Sequence, residues 1–279
     1  MSGRDARGMM EENRAHWDEL AVINPQTEFY DVESFKAGRT HLDSVVREQL
    51  GDVSGKSVLH LQCHFGMDTI RLSRLGADAT GADFSSTAIA LARSLADELG
   101  QPTRFVESNV YDLPGVLDEQ FDIVFTSHGV LGWLPDIVAW GAVVAHFLKP
   151  GGRFVIVEAH PAAWPLDDES PDALAIRYPY FSDGTPLVID LDRSYADPDT
   201  VVTNKRTHNW NHPLSNVVNA LISAGLAIEH LGEYPMCAWP YVPLMRQDDD
   251  GWWRLPAEYP QLPFLFSLRA TKLSVHGIL

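Results

Sequence analysis

Residues 56–83 read KSVLHLQCHFGMDTIRLSRLGADATGAD, and the fold turns on this stretch. Val58, Leu59 and Leu61 make a buried-type apolar run, Gln62 to Gly66 a tight polar segment, and Ile70, Leu72 and Leu75 an amphipathic helical spacing. A second short run, Ala79 to Ala82, ends on Asp83, 17 residues beyond Gly66. Strand, tight loop, helix, strand and acid follow the plan of a nucleotide-binding βαβ unit, whose acid reaches ribose hydroxyls. Phosphate-binding loops are written G-x-G-x-x-G because backbone amides must approach a pyrophosphate. Only Gly66 is present here, which disfavours a pyrophosphate ligand and with it a nicotinamide dehydrogenase.

The spacing instead resembles motif I of the class I S-adenosylmethionine (SAM) dependent methyltransferases, an acid followed by G-x-G-x-G. On that pattern His60 stands at the acid, Gln62 and His64 replace the first two glycines, and Gly66 matches the third. Gln62 and His64 carry Cβ atoms, so a left-handed backbone there is strained, and the loop is expected to differ in detail from the usual one. The resemblance implies that His60, Gln62, Cys63 and His64 surround the methionine end of SAM, with its carboxylate and ammonium, as hydrogen-bonding substitutes. It also implies that Asp83 grips the ribose, with Phe84 and Ser85 beside it. Further on, SNVYDLP stands where the family usually has G-D-A-x-x-L-P. Asn109 then takes the place of the acid that accepts from the adenine amino group, flanked by Val110 and by Tyr111 packing beside the purine; the alternative is a plain turn residue. Cys63 and His64 also suggest a metal, but no second Cys or His lies at ligand spacing, so no metal site is expected.

With 279 residues, 45% of them hydrophobic, the chain is long enough for a substantial core, as one elaborated domain or a domain with a cap. With a formal charge of −17 and no Lys or Arg cluster, nucleic acid is not an expected partner, because counterion release needs such a cluster. Cys63 and Cys237 make no disulfide framework and suit a reducing compartment. The amino terminus lacks an apolar signal region and no stretch of eighteen apolar residues occurs, so a cytoplasmic protein without a membrane partner is expected. Nothing in the pattern chooses between monomer and homodimer.

Met9, Met10, Trp17 and Leu20 share one face of a helix over residues 5–20, and Thr40 is the expected cap of a second helix ended by Gly51. The resemblance makes residues 1–55 a helical lid lined by His16, Trp17, Tyr30 and Arg39, with Arg39 partnering the SAM carboxylate; ordinary packing and a solvated charge are the alternatives. A helix capped by Ser85 or Ser86 runs to Gly100, and strands follow at 103–107, 121–126 and 153–158. Ser127, His128, Gly129 and His160 lie just past strand ends, where open parallel sheets bind ligands. From 161 to 211 the alternation lapses into an inserted substrate cap rich in aromatics, including Trp164, Phe181 and Tyr195. Segments 226–231 and 264–271 then read as a final hairpin with a long excursion between them.

The fold class is therefore α/β: a seven-stranded, mostly parallel Rossmann-like sheet with its last strand antiparallel and helices on both faces. The division is a lid (1–55), a SAM-binding core (56–160), a cap (161–211) and the rest of the core sheet (212–279). The resemblance implies SAM as cofactor and methyl transfer to an oxygen or nitrogen of a small-molecule acceptor. His128, His160 and His208 are candidates to remove the acceptor's proton. His16, Tyr30, Trp133, Tyr178, Tyr180, Trp210 and His212 are candidates to hold the acceptor. A SAM-using cyclase or lyase and a non-enzymatic module on the same fold are the alternatives, and the acceptor itself is not legible.

Overall fold

A computed structural model describes residues 3–39 and 41–274. In chain order the elements are α1 (Gly3–Ile23), α2 (Val32–Lys36), α3 (Ser44–Leu50), β1 (Ser57–Leu61), α4 (Met67–Arg74), β2 (Asp78–Asp83), α5 (Ser86–Glu98) and β3 (Arg104–Glu107). They continue with β4 (Phe121–Ser127), α6 (Ile137–Phe147), β5 (Leu148–Ala159), β6 (Leu187–Asp190), β7 (Arg206–Asn209), α7 (Leu214–Ser223) and β8 (Leu226–Tyr234). The short strands β9 (Met236–Cys237), β10 (Arg246–Gln247) and β11 (Trp253–Arg254) precede β12 (Leu265–Lys272).

Seven strands form one sheet in the order β3-β2-β1-β4-β5-β12-β8. β1, β2, β3, β4 and β5 pair in parallel, and β12 runs antiparallel to both β5 and β8. The expected architecture is thus observed. The order reverses at β1, which is flanked by β2 and β4, so the crevice for a ligand opens at the carboxyl ends of those strands.

Helices cover both faces because the central strands are apolar on both. Leu59, Leu61, Phe154 and Ile156 pack with Trp140 and Val217 on one side, and Val58, Phe125, Val155 and Val157 with Val46 and Leu50 on the other. Trp140 meets the Phe154 ring edge-on at 5.5 Å. Several helices start where a side chain accepts their free amides. Asp136 Oδ1 accepts from Val138 N and Ala139 N at the head of α6, and Ser85 Oγ accepts from Ala88 N at the head of α5.

Several boundaries differ from the sequence reading. The first helix runs to Ile23, because the apolar face continues through Ala21. Thr40, the expected cap, lies outside the described residues, and Asp43 caps α3 by accepting from Val46 N at 2.8 Å. β8 extends to Tyr234, three residues beyond the expected end, because β12 stays paired with it over that length. The 161–211 region is not without regular structure: β6 and β7 pair within it as an antiparallel ribbon. Ala163 and Leu166 share a small core with Cys237, Val242, Met245 and Phe264, so the cap region and the 235–263 excursion pack as one layer. The amino-terminal helix is stitched to the same region. Asn13 brackets the His208 backbone with two 2.8 Å hydrogen bonds, and Glu19 accepts from Thr203 N and Asn204 N. Among the described residues no helix is long and apolar enough to cross a membrane.

Gly141 marks the tightest helix contact: a Cβ there would lie 2.9 Å from the Ala220 carbonyl oxygen of α7. Gly141→Ala is expected to force α6 from α7 and cost about 1–3 kcal/mol in chemical denaturation; an unchanged midpoint would show that the two helices are not in van der Waals contact.

Candidate active site

A cavity of about 360 Å³ opens at the carboxyl ends of β1, β2 and β4, within the roughly 300–1,000 Å³ range of small-molecule sites. Its floor is the loop from Gln62 to Gly66. Here the backbone departs from expectation: Gln62 (φ 56°), His64 (φ 50°) and Gly66 (φ 80°) all adopt positive φ. The loop keeps the glycine-type shape with side chains in it, at about 1–2 kcal/mol for each non-glycine residue. Local bonds hold it there. Cys63 N donates to Ala82 O (3.0 Å), His64 N to Asp83 Oδ2 (2.8 Å), Gly66 N to Cys63 O (3.0 Å) and Gln62 Nε2 to Val130 O (3.2 Å). Only glycine fits the last position, since a Cβ on Gly66 would sit 2.5 Å from the Phe105 ring.

Asp83 closes the loop against β2. It is 8% exposed, with Oδ2 on His64 N and Oδ1 on Ser85 N. Burial raises its pKa to about 6, against the opposing effect of the amides. Burial also lowers His60 to about 4 and His64 to about 3, so both rings are neutral at pH 7. His60 Nδ1 lies 2.9 Å from Thr69 Oγ1, while its Nε2 and Gln62 Oε1 are buried without a protein partner. His64 Nε2 accepts from Asn24 Nδ2 at 3.0 Å. Asn109 reaches the cavity with its Oδ1 accepting from Tyr111 N, so it also serves as the turn residue of the alternative reading. Val110 lines the cavity, whereas the Tyr111 hydroxyl bonds to the Asp136 backbone.

The opposite wall follows β4. Ser127, His128 and Gly129 line it, and His128 is a further strained residue at φ 37°. Buried Glu158 grips the next turn, accepting from Gly129 N, Val130 N and Leu131 N. His128 Nε2 lies 3.4 Å from Asp43 Oδ2, and Trp239 meets the ring edge-on. Asp68 pairs with Arg71 at the start of α4. Burial acts to raise Asp68, but Arg71, His60 and His128 outweigh it and hold the carboxyl low.

Aromatic side chains roof the cavity. Trp17 lies 5.2 Å from His64 and 5.2 Å from Trp133, and Tyr30 packs on Phe65 at 4.8 Å. The Tyr30 and Tyr195 hydroxyls share a short hydrogen bond, and Asn24 donates to Tyr195 as well.

The structure thus gathers Trp17, Tyr30, His60, Gln62, Cys63, His64, Gly66, Asp83, Phe84, Asn109, Val110, Ser127, His128 and Trp133 around one hollow. Others lie elsewhere. Ser85 caps α5 and donates to Asp18, and Arg39 is exposed against Ser34. His160 accepts from Ala162 N and faces Glu233, and His208 faces Glu12. His16 sits behind Trp133 with Nδ1 on Asn204 O, and His212 holds Leu134 O. Tyr178 and Tyr180 bond within the cap region and to α7, and Trp210 is buried. Sequence reasoning passed over Met10, His41, Asp43, Asp68 and Arg71, which line the cavity, as does Trp239 from the 235–263 excursion, whose tryptophans the sequence offers for the pocket's rim. Asp43 carried a signal: it immediately precedes the helical stretch it caps.

Residues 58–152 match the family described as Methyltransferase domain. A ubiquinone biosynthesis O-methyltransferase of Photorhabdus laumondii is 31% identical over 121 residues, 43% of this chain and 50% of that protein. The chain therefore spans about half the length of the curated relatives it matches. A SAM-dependent methyltransferase structure from Mesorhizobium loti superposes with a TM-score of 0.57 at 22% identity, covering 81% of this chain and 95% of that one. DhpI in complex with SAH does so at 0.56 and 18% identity, covering 96% and 98%. Both share the fold.

If the loop is strained as its dihedrals require, Gln62→Gly should leave stability within about 1 kcal/mol of wild type, the relief offsetting added chain entropy and a lost hydrogen bond. Gln62→Val should cost about 1–3 kcal/mol, because a β-branched residue resists positive φ. Thermal melts in the reverse order would mean that the loop relaxes out of the left-handed region.

Proposed function

We propose that this chain, a member of the class I SAM-dependent methyltransferase superfamily, binds SAM in the cavity above Gln62–Gly66 and transfers its methyl group to an oxygen or nitrogen of a small molecule. The observation that carries the reading is a set of buried acceptors lacking protein partners. With Nδ1–H donating to Thr69, His60 Nε2 presents a lone pair, and Gln62 Oε1 presents another beside it. Such orphans each cost about 1–3 kcal/mol, which donors of an amino-acid ammonium would offset. Asp83, anchored by two amides, retains lone pairs for ribose hydroxyls, and Asn109 with Val110 lies where the adenine would rest. The residues fit the ligand.

When bound, SAM supplies a methyl group on a sulfonium centre. The chain's part is to align and to dry. Alignment of this kind lowers a barrier by up to about 7–11 kcal/mol. Trp17, Tyr30, Trp133 and Tyr195 exclude water and offer π faces suited to a positive sulfur. The acceptor would enter on the His128 side, away from the ribose acid. The relatives include ubiquinone O-methyltransferases and, among solved folds, a glycopeptide N-methyltransferase, which supports oxygen or nitrogen as the atom methylated. A cytoplasmic setting accords with the two free, buried cysteines.

Calorimetry with S-adenosylhomocysteine tests the reading. Ribose hydroxyls donate to the ionised acid, so the ligand prefers Asp83 deprotonated and its affinity falls as pH drops through about 6. Binding about tenfold weaker at pH 5 than at pH 7 is expected. Asp83→Asn should weaken binding at pH 7 by about ten- to 100-fold and abolish that pH dependence. Absence of binding by both SAM and its demethylated product would overturn the assignment.

A further inference from the structure

His128 is constrained from four directions. Its backbone N donates to Val157 O at 3.0 Å, and Glu158 fixes the amides of the three residues that follow. Trp239 abuts the ring edge-on at 6.2 Å, and Asp43 Oδ2 faces Nε2 at 3.4 Å. Its φ of 37° is a conformation that persists only where surroundings over-determine it, and such strain concentrates at functional positions. Nε2 is buried and has no completed hydrogen bond, while the ring lines the cavity.

Asp43 divides its two oxygens. Oδ1 caps α3 through Val46 N, which fixes the carboxylate in place, and Oδ2 is left for the imidazole. Catalytic hydrogen bonds are often long before the reacting complex forms, and the separation here is 3.4 Å. A carboxylate on Nε2–H fixes that tautomer and leaves Nδ1 as the proton acceptor.

We propose that Asp43 is a positioning residue that holds His128 in the Nε2–H tautomer, so that His128 Nδ1 takes the proton of a hydroxyl or amine acceptor. This rests on the proposed methyl transfer and narrows its acceptor to groups that must lose a proton, excluding thioethers and tertiary amines. As the acceptor's oxygen or nitrogen bonds to the methyl carbon, its O–H or N–H electrons return to that atom and the proton passes to Nδ1. The carbon–sulfur electron pair goes to sulfur, leaving a neutral thioether and an imidazolium paired with the Asp43 carboxylate. His60, Asp68 and Glu158 are the other titratable groups that share the field around the ring.

Long-range ¹H–¹⁵N correlation on the full chain with ¹⁵N-labelled histidine reports the tautomer directly, with His128→Gln assigning the signal. Wild type at pH 7.5 should show a protonated Nε2 and a pyridine-type Nδ1 at His128, and Asp43→Asn should lose that pattern to a mixed or inverted one. Asparagine caps helices as well as aspartate does, so Asp43→Asn should fold, and its thermal melt checks this. A Nδ1–H tautomer in wild type, or a pattern unchanged in Asp43→Asn, would overturn the dyad whether or not the ligand binds. Failure of S-adenosylhomocysteine to bind wild type would remove the methyl-transfer reading and leave the tautomer result to stand separately.

Discussion

The structure depends on one contact across the mouth of the sheet: the Asp83 carboxylate accepting the His64 amide. That bond ties the loop after β1 to the end of β2, and it holds positive φ at positions where the usual sequence has glycine. Glycine-rich loops reach this shape freely; here the shape is enforced by partners. The consequence reaches the chemistry. A loop built with Gln62 and His64 places polar side chains where others have only backbone, and burial keeps the nearby His60 and His64 rings neutral. Neutral imidazoles and an amide accept hydrogen bonds without adding charge beside a cationic ligand.

A second constraint governs what covers the hollow. α1 and the 203–208 segment are joined by side-chain to backbone bonds from Asn13, His16 and Glu19. Tyr30 and Tyr195 meet across the roof, with Asn24 linking both to His64. The roof thus reports on the floor. Polar bonds at its edge surround aromatic packing at its centre.

The architecture was legible because its signals are local. Apolar runs of strand length, the spacing Ile70, Leu72 and Leu75, and an acid at the end of the second strand each depend on a few neighbouring residues. So did the cavity residues that follow strand ends, such as Asp83 and His128. Arg39, His160 and His208 were chosen from residue type and nearness to an end, but their side chains turn to Ser34, Glu233 and Glu12, contacts no local pattern encodes. Asp43 was passed over for the converse reason: it reaches the cavity from a segment 85 residues before His128, brought there by tertiary packing. The left-handed loop went against propensity, which gave way to the bonds from Asp83 and Ala82.

The strained, glycine-poor floor is proposed as the seat of an adenosylated sulfur ligand. A crystal structure grown with S-adenosylhomocysteine tests it most directly. The expected result is ribose hydroxyls on Asp83, the adenine beside Asn109 and Val110, and the amino-acid end against His60 and Gln62, with Gln62 and His64 still at positive φ. Ligand density elsewhere, or a cavity that stays closed by protein atoms while Gln62 and His64 relax to negative φ, would contradict it.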